Sequence, residues 1–347
     1  MTGTTVGIDI GGANIKLADV AGNCVAEPFA LWLAPDRLGE KVRQLLSSYS
    51  NVTRLAITMT GELADCYATR REGVDSILCQ IAGVFPEERS WVYSLDEKWL
   101  TPALAQADPW KVAASNWHLL GTWIARSCRA TKQFPAMLLI DVGSTTVDVV
   151  PLAQSRVCTT ARTDRQRLQS RQLVYTGAER TPVAAIVREV LVKSQRCPVM
   201  AERFATSEDA YLATGSIKEQ PENCDTADGR PKTMICAQAR IARMVGEDSQ
   251  TLSPEVIRDI ASQIIEAQVE QICQAIERNL NDYFRDRDSL PVLVCSGHGR
   301  ELLERLLPRF SYSLSVVWLD EFLSPQLARC APSYAAAQLL DEAMRMN

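Results

Sequence analysis

The fold of this chain is decided by a stretch near its start, Val6-Gly7-Ile8-Asp9-Ile10-Gly11-Gly12-Ala13-Asn14-Ile15-Lys16-Leu17. Its apolar beginning is typical of a buried strand, and this strand is predicted to end at Asp9. Glycine has no Cβ, so the residues that follow can turn tightly and let a ligand approach the backbone. The stretch therefore predicts a β-hairpin with a phosphate-binding turn formed by Gly11, Gly12, Ala13 and Asn14.

The same pattern occurs once more, at Leu138-Leu139-Ile140-Asp141-Val142-Gly143-Ser144-Thr145-Thr146-Val147-Asp148-Val149-Val150. One copy alone would be an ordinary turn, whereas two copies in matching strand contexts favour a function. Two such hairpins facing across a cleft would hold a phosphate chain on backbone N–H groups, with Asp9 and Asp141 directed at a hydrated Mg²⁺. The second turn comprises Gly143, Ser144 and Thr145.

Composition and charge narrow the class of protein. The 347 residues are 46% apolar and 23% charged, which suits an ordinary folded protein of two domains. A net charge of −5 without long runs of Lys or Arg argues against nucleic-acid and membrane-surface partners. The eleven cysteines include no C-x-x-C pair, which argues against zinc and iron–sulfur sites. No apolar stretch reaches bilayer-spanning length and no signal segment is evident, so we expect a cytoplasmic protein.

Carboxylates follow the predicted strand at 55–59. The segment Thr60-Gly61-Glu62-Leu63-Ala64-Asp65 opens from the end of this strand, a common place for an active site in an open α/β sheet. Glu62 or Asp65 could be a general base, or could cap the following segment. Asn116, near the start of a later predicted helix, could cap that helix or reach the cleft.

Arginines surround a glycine turn in the second half of the chain. Arg162 and Asp164 lie in a polar segment, and Tyr175 and Arg180 flank Gly177. Arginines beside a glycine turn and a helix start suit an anionic substrate, and a solvated loop is the alternative.

Helices dominate the region after Arg180. One helix is predicted to begin at Pro182, with Thr181 as its cap, and to run through Val183, Ile186, Val187 and Val190. A polar loop at 221–231, which contains Asp228 and Arg230, is either a lid or a surface loop. A long helix opening at Ser253-Pro254-Glu255 is expected to pack across the second sheet.

A third loop follows a predicted buried strand at 291–295. The residues Ser296-Gly297-His298-Gly299-Arg300 lie between this strand and a helix. Such a turn suits a phosphate or nucleoside. Gly297, His298 and Gly299 are therefore candidate ligand-binding residues.

These three loops together resemble the phosphate-1, phosphate-2 and adenosine loops of the actin-like ATPase superfamily. The resemblance implies an α/β fold of two ribonuclease-H-like domains that close around nucleotide and Mg²⁺. It implies a first domain over 1–133 and a second over 134–347, with a helical insert at about 182–285. The C-terminal helix either stays with the second domain or returns to the first.

A narrower resemblance covers nearly the whole chain. It is carried by Gly7 to Asn14, by 58–65, by Ala114-Ser115-Asn116-Trp117, by 173–177 with 180–182, and by Ala227-Asp228-Gly229-Arg230-Pro231-Lys232-Thr233 with Arg240-Ile241-Ala242-Arg243. These segments are similar to the hydantoinase/oxoprolinase-like family linked to tetrahydromethanopterin C1 transfer. The resemblance implies a transferase of methanofuran or methylofuran biosynthesis. It would join an aminomethyl-furanmethyl diphosphate to the phenol oxygen of a glutamyl-tyramine or tyrosine-derived acceptor, releasing diphosphate.

The implied reaction gives roles to the candidate residues. Mg²⁺ on Asp9 and Asp141 would offset charge on the departing diphosphate, and Glu62 or Asp65 would take the phenol proton. Lys16 would add a cation if it points into the cleft, and is otherwise an ordinary strand lysine. The implied substrate contacts are Asn116, Arg162, Asp164, Tyr175, Arg180, Asp228 and Arg230.

Two other functions stay open at this point. ATP-binding relatives usually carry small residues where His298 stands, so a side chain here lowers the expectation of ATP binding without removing it. The first alternative is an ATP-dependent small-molecule kinase or ring-opening amidohydrolase of the same fold. The second is a non-catalytic, nucleotide-gated partner protein. The expected partners are small molecules, and the chain is expected to be a monomer or homodimer.

Overall fold

The computed structural model describes residues 3–131, 136–285, 290–310 and 314–346. The domain boundary predicted near 131–135 falls largely outside these residues. The described strands are β1 Thr4–Ile10, β2 Asn14–Asp19, β3 Cys24–Pro28, β4 Val52–Met59, β5 Ser90–Tyr93, β6 Trp99–Leu100, β7 Ala136–Val142, β8 Val147–Ala153, β9 Arg156–Val157, β10 Leu173–Val174, β11 Glu189–Val192, β12 Gln195–Pro198, β13 Val292–Gly297 and β14 Val316–Trp318. The described helices are α1 Leu38–Leu46, α2 Arg70–Ala82, α3 Pro102–Ala107, α4 Asn116–Thr131, α5 Asp164–Gln169, α6 Val183–Ile186, α7 Ser207–Thr214, α8 Met234–Arg243, α9 Pro254–Phe284, α10 Arg300–Leu306, α11 Pro325–Arg329 and α12 Ala331–Met346.

The first sheet is built around β1, the strand that the opening stretch predicts. Its order is β3-β2-β1-β4-β5-β6, with β1 antiparallel to β2 and parallel to β4. Val6, Ile8 and Ile10 are fully buried in this sheet. Burial on both faces explains why the strand is a nearly continuous apolar run.

The second sheet repeats this arrangement around β7. Its order is β10-β8-β7-β13-β14, with β7 antiparallel to β8 and parallel to β13. In both sheets the central strand forms a hairpin with the next strand and then pairs in parallel with a strand that returns after a crossover. The duplicated sequence pattern thus corresponds to a duplicated sheet.

The C-terminal helix α12 packs on the first sheet. A Cβ on Gly7 would lie 1.9 Å from the Ser333 backbone oxygen, so the strand and the helix approach closely. Arg54 Nη2 lies 2.9 Å from Asp341 Oδ1, and Thr5 Oγ1 donates to the same oxygen. The end of the chain therefore completes the sheet with which the chain begins.

The long helix α9 packs across the second sheet, as predicted. Ile265, Val269 and Ile272 are buried in one apolar cluster with β7 and β8. The Gln268 side chain donates from Nε2 to Thr176 Oγ1 and to the Gly177 oxygen, each at 2.8 Å. This helix therefore fixes the loop that follows β10.

The predicted helix through Val190 is wrong beyond Ile186. Helix α6 ends there, and Val190 belongs to β11, which pairs with β12 around a turn. The apolar spacing fits a helix, but the β-branched residues also suit a strand, and Gln263 of α9 hydrogen bonds to both backbone groups of Leu191. Tertiary contacts decide between the two structures.

Thr181 does not cap this helix, contrary to prediction. The residue before α6 is Pro182, and no side chain in the described part of the chain caps this helix. Thr181 Oγ1 instead accepts from the Gly177 N–H at 2.9 Å. The threonine therefore stabilises the loop at 176–181.

Replacing Gly7 with alanine tests the packing of α12. The added Cβ would clash with the backbone of α12, which cannot rotate away as a side chain can. We expect Gly7→Ala to lower the free energy of unfolding by about 3 kcal/mol or more. Gly83→Ala is the matched control, because its Cβ would meet nothing closer than 3.5 Å and its φ is −68°. Equal denaturation midpoints for the two variants would contradict this account.

Candidate functional site

A cleft of about 520 Å³ lies between residues of the two sheets. Its lining comes from the turns of both glycine hairpins, from the segment after β4 and from the loops around α5 and β10. The lining residues are Gly12, Ala13, Trp32, Thr60, Glu62, Leu63, Ala64, Asp65, Ala114, Asn116, Thr145, Thr146, Asp148, Asp164, Arg167, Leu173, Tyr175, Arg180, Pro182 and Arg203.

The two glycine turns have the same backbone closure. The Gly11 N–H donates to the Asn14 oxygen, and the Gly143 N–H donates to the Thr146 oxygen, both at 2.9 Å. A Cβ on Gly12 would meet nothing within 4 Å, so the tip of the first turn faces open space. The first turn therefore presents open backbone to the cleft, as expected of a phosphate-binding loop, and Thr145 and Thr146 of the second turn also line it.

Asp9 ends the first strand below its turn and is almost fully buried. Burial raises the pKa of Asp9 to about 6, and the carboxylates of Asp141 and Asp148 also raise it, while Lys16 opposes them. Lys16 stands directly across the hairpin from Asp9, which explains its influence. The Asp9 Oδ1 atom has no hydrogen-bond partner among the described residues. Such an atom can accept a donor or a cation from a ligand.

The second hairpin carries a pair of aspartates. Asp141 and Asp148 face each other across β7 and β8. Burial raises the pKa of Asp148, and the Arg167 guanidinium opposes this shift. No role was predicted for Asp148 from the sequence. Counting residues outward from the second glycine turn nevertheless places Asp148 opposite Asp141 on the neighbouring strand.

The Asp9 and Asp141 pair fits the expected Mg²⁺ in donor chemistry. Within the described ranges, no group of three or more His, Cys, Asp or Glu side chains could hold a metal ion. Mg²⁺ usually takes only one or two carboxylates and fills its other positions with water and substrate phosphate. The unpartnered Asp9 oxygen is compatible with that mode of binding, so Mg²⁺ stays a prediction.

Glu62 is the candidate base with the most perturbed environment. Its side chain is 1% exposed and lines the cleft. Burial raises the pKa of Glu62 to about 7, and the Arg70 guanidinium opposes that rise. Arg70 Nη1 lies 3.3 Å from Glu62 Oε1, whereas Oε2 has no hydrogen-bond partner in the described chain. A carboxylate with one free oxygen and a pKa near neutrality suits general acid–base chemistry.

A ladder of alternating charges runs from Glu62 to Asp148. Arg70 pairs with Glu62 and also with Asp164, whose other oxygen lies 3.8 Å from Arg167 Nη1. Arg167 then pairs with Asp148 below the second glycine turn. We call these five residues the charge ladder. It connects the candidate base to the second hairpin across the cleft.

Local structure holds the arginines of the ladder in place. Arg70 opens α2, where Thr69 caps the helix by accepting from the Glu72 N–H. Arg167 lies on α5, which begins with a capping box formed by Thr163 and Gln166. The Arg167 guanidinium carbon also lies 4.2 Å from the centroid of a Trp117 ring.

Some predicted substrate contacts meet in the cleft. Asn116, Asp164, Tyr175 and Arg180 all line it, although the Asn116 side chain also accepts from the next backbone N–H. Arg162 is outside the lining, and its guanidinium donates to the Thr159 oxygen.

Asp228 and Arg230 do not reach the lining of the cleft. Asp228 accepts from Arg240 at 3.0 Å and from Arg243 at 3.0 Å, and the buried Arg240 also donates from Nε to Asp209 at 2.8 Å. The structure thus places Asp228 in an ion-pair network that fixes the polar loop to α8, and it leaves Arg230 exposed.

The third loop also lies outside the lining. Gly297 and Gly299 pack so closely on Val142 that a Cβ on either would lie 2.1 Å from one of its atoms. His298 Nε2 lies 3.1 Å from Glu179 Oε1. Close packing against β7 therefore accounts for these glycines without a ligand.

Trp32 and Arg203 line the cleft without having been predicted to do so. Trp32 follows the first hairpin by several residues, and Arg203 lies in the loop after β12. No local sequence pattern marks either residue, because only the tertiary fold brings them to the cleft.

The sequence matches one family model over most of its length. Residues 54–342 match the family described as hydantoinase/oxoprolinase. A Methanocaldococcus jannaschii protein named (4-{4-[2-(gamma-L-glutamylamino)ethyl]phenoxymethyl}furan-2-yl)methanamine synthase is 30% identical over 97% of both chains. A Methanococcus vannielii protein of the same name is 26% identical over 58% of this chain and 90% of its own.

Solved structures match the fold at low sequence identity. Nucleotide-free acetone carboxylase aligns with a TM-score of 0.52 and 10% identity over 97% of this chain and 70% of its own. A ROK family glucokinase from Streptomyces griseus, in complex with glucose and AMPPNP, aligns with a TM-score of 0.47 and 14% identity over 97% of this chain and 99% of its own. The chain has the two-domain α/β fold of the actin-like ATPases, which confirms the predicted fold class.

Within the described ranges, every helix is too short or too polar to span a lipid bilayer.

Two arginines of α8 test whether the Asp228 network is structural. Arg240→Met would leave the buried Asp209 carboxylate without its partner, and we expect the free energy of unfolding to fall by about 3–5 kcal/mol. Arg243→Met is the matched control, because the only described carboxylate that this half-exposed arginine pairs with is Asp228, and we expect a loss of about 1 kcal/mol or less. Chemical denaturation measures both. Equal losses would contradict a stabilising role for the buried pair.

Proposed function

Because the chain belongs to the hydantoinase/oxoprolinase family, we propose that it is an enzyme of methanofuran-type cofactor biosynthesis, as the names of its relatives indicate for those proteins. The product in that name contains an aryl ether between a phenoxy oxygen and a furanmethyl carbon. The proposed reaction joins an aminomethyl-furanmethyl diphosphate to the phenol of a glutamyl-tyramine-type acceptor. The carbon–oxygen bond to diphosphate breaks, the aryl ether bond forms, and the phenol loses its proton.

The observation that carries this proposal is the environment of Glu62. An attacking phenol must lose a proton, and the phenol group ordinarily has a pKa near 10. Glu62 lines the cleft with a free Oε2, and its pKa of about 7 makes it a stronger base than an ordinary carboxylate. Glu62 therefore accepts the phenol proton in the proposed reaction.

The two glycine turns face the other reactant. Their backbone N–H groups would bind the diphosphate of the donor and stabilise charge on it as it departs. Asp9 and Asp141 would hold Mg²⁺, which supplies further positive charge to the leaving group. Lys16 offsets part of the negative charge of these aspartates from across the first hairpin.

The proposed reaction transfers no phosphoryl group and needs no nucleotide. The loop expected to contact adenosine lies outside the cleft lining, and its glycines are explained by packing on Val142. This arrangement favours the synthase over the kinase and nucleotide-gated alternatives.

Diphosphate release tests the reaction. Purified protein with Mg²⁺, the furanmethyl diphosphate and the phenolic amine should release diphosphate only when both organic substrates are present. ATP should have no effect, and Asp9→Asn should reduce the rate by at least about 100-fold, since it removes a charge next to the leaving group. The measurement is a coupled diphosphate assay with mass spectrometry of the ether product. Tight MgATP binding or ATP hydrolysis without ether formation would transfer the assignment to a nucleotide-dependent function.

The pH dependence tests the role of Glu62. The base must be ionised to accept a proton, so kcat/KM should fall about tenfold for each pH unit below about 7. Arg70→Met removes the cation that lowers this pKa, so the acidic limb should move to higher pH. Glu62→Gln should reduce kcat by about 10²- to 10⁴-fold.

The comparison variant for this test is Asp65→Asn. Asp65 also lines the cleft but is exposed and was the other candidate base. Loss of the acidic limb in Asp65→Asn, with the limb retained in Glu62→Gln, would assign the base to Asp65.

A further inference from the structure

Two of the arginines that line the cleft have no carboxylate partner among the described residues. Arg167 lines the cleft too, but it belongs to the charge ladder and pairs there with Asp148. Arg180 and Arg203 also line the cleft, and neither lies in an ion pair with any described carboxylate. Arg180 and Arg203 therefore keep their positive charge in the cleft, whereas the arginines of the charge ladder are paired with carboxylates.

Trp32 orients one of these two arginines. The Arg180 guanidinium carbon lies 4.6 Å from the centroid of a Trp32 ring. An arginine stacked on an aromatic face keeps its N–H groups, which point outward in the guanidinium plane, free to bind a ligand. The stack therefore holds the cation in place without neutralising its charge.

Backbone hydrogen bonds tie the stack to both glycine turns. The N–H of Leu31, next to Trp32, donates to the Gly12 oxygen at 3.0 Å. The Arg180 N–H donates to the Ser144 oxygen at 2.9 Å. The Trp32–Arg180 contact thus bridges the two hairpins at the turns that face the cleft.

We propose that Arg180, Arg203 and Trp32 form a subsite for the diphosphate group of the donor substrate. This inference rests on the proposed function for the identity of the donor, but the anion site itself does not depend on turnover. Two arginines and two glycine turns provide more donors than a single carboxylate can accept, whereas a diphosphate has oxygens for all of them. None of these three residues belongs to the charge ladder.

The subsite also orients the donor. Glu62 and Asn116 line the same cleft, so a donor held at Arg180 and Arg203 would have its furanmethyl carbon in the space that also contains the proposed base. The phenol oxygen then approaches from the side of the base and opposite to the leaving group. Arg180 and Arg203 are positioned to stabilise the negative charge that grows on the departing diphosphate.

Binding of inorganic diphosphate tests the site directly. Isothermal titration of the full chain, with and without Mg²⁺, should show diphosphate binding. Arg180→Gln and Arg203→Gln should each weaken it about 10- to 100-fold, as loss of a charged hydrogen-bond donor does. Arg258→Gln is the matched control, because Arg258 lies on α9 away from the cleft lining and should not change the affinity.

Two substitutions of Trp32 test whether its aromatic face is needed to orient Arg180 for diphosphate binding. Trp32→Phe retains an aromatic face and should bind diphosphate nearly as well as the original chain. Trp32→Ala frees Arg180 and should weaken binding about 2- to 30-fold. Circular dichroism and a thermal melt on each variant identify any that fail to fold.

Several outcomes would overturn the subsite. They are unchanged diphosphate affinity in folded Arg180→Gln and Arg203→Gln, an equal loss in Arg258→Gln, or no diphosphate binding by the original chain. A raised KM for the phenolic amine with unchanged diphosphate affinity would assign these arginines to a carboxylate of the acceptor instead. Intact diphosphate binding with the expected variant pattern, but no ether formation, would contradict the synthase and leave the anion subsite standing.

Discussion

Removing carboxylates from water is the constraint on which the rest of this site depends. A buried carboxylate costs several kcal/mol unless a cation or hydrogen-bond donors compensate it. Glu62 and Asp148 are both buried, and the chain supplies Arg70 from the start of α2 and Arg167 from the last turn of α5, two helices that begin with threonine caps. Asp164 then joins the two arginines. The alternation of signs allows five charged side chains to lie together, and it ties the first sheet to the second at the cleft.

Two buried carboxylates at the candidate site have hydrogen-bond partners or cations for only part of their oxygen atoms. Glu62 Oε2 and Asp9 Oδ1 are buried without partners among the described residues. A buried polar atom without a hydrogen-bond partner destabilises the folded protein. A substrate or cation that binds to this atom removes the penalty, which is why such atoms are typical of functional sites. The opposing effects of burial and Arg70 bring the Glu62 pKa close to neutrality. The same ladder that stabilises the fold therefore adjusts the proposed base.

The parts of this architecture that depend on local sequence could be predicted, and those that depend on tertiary contact could not. The two hairpins and the long helix α9 follow from periodicity and glycine placement over short distances. The end of the predicted strand at 55–59 also indicated the place of Glu62 in a cleft, where its side chain is buried. Arg70, which pairs with Glu62, and Arg167, which pairs with Asp148, lie on separate helices. The residues next to them in sequence do not indicate these ion pairs. Val190 was misassigned because its spacing fits a helix, while Gln263 of α9 binds the strand instead. For Gly297 and Gly299, sequence cannot distinguish close packing on Val142, which the structure shows, from close approach of a nucleotide, so their role in ligand binding stays a prediction.

The charge of the whole chain says little about this cleft. A net charge of −5 would repel an anionic donor at long range, but screening limits that effect to about 8–10 Å at physiological ionic strength. Inside the cleft, the attraction for an anion depends on which individual arginines are paired with carboxylates. Every arginine of the ladder is neutralised by a carboxylate, so the ladder offers no net attraction to a diphosphate. Arg180 is instead stacked on an uncharged indole, which fixes its position and preserves its charge. The arrangement separates the two tasks of the proposed reaction. Burial, opposed by Arg70, brings the pKa of the proposed base to about 7, and the unpaired arginines would receive the leaving group.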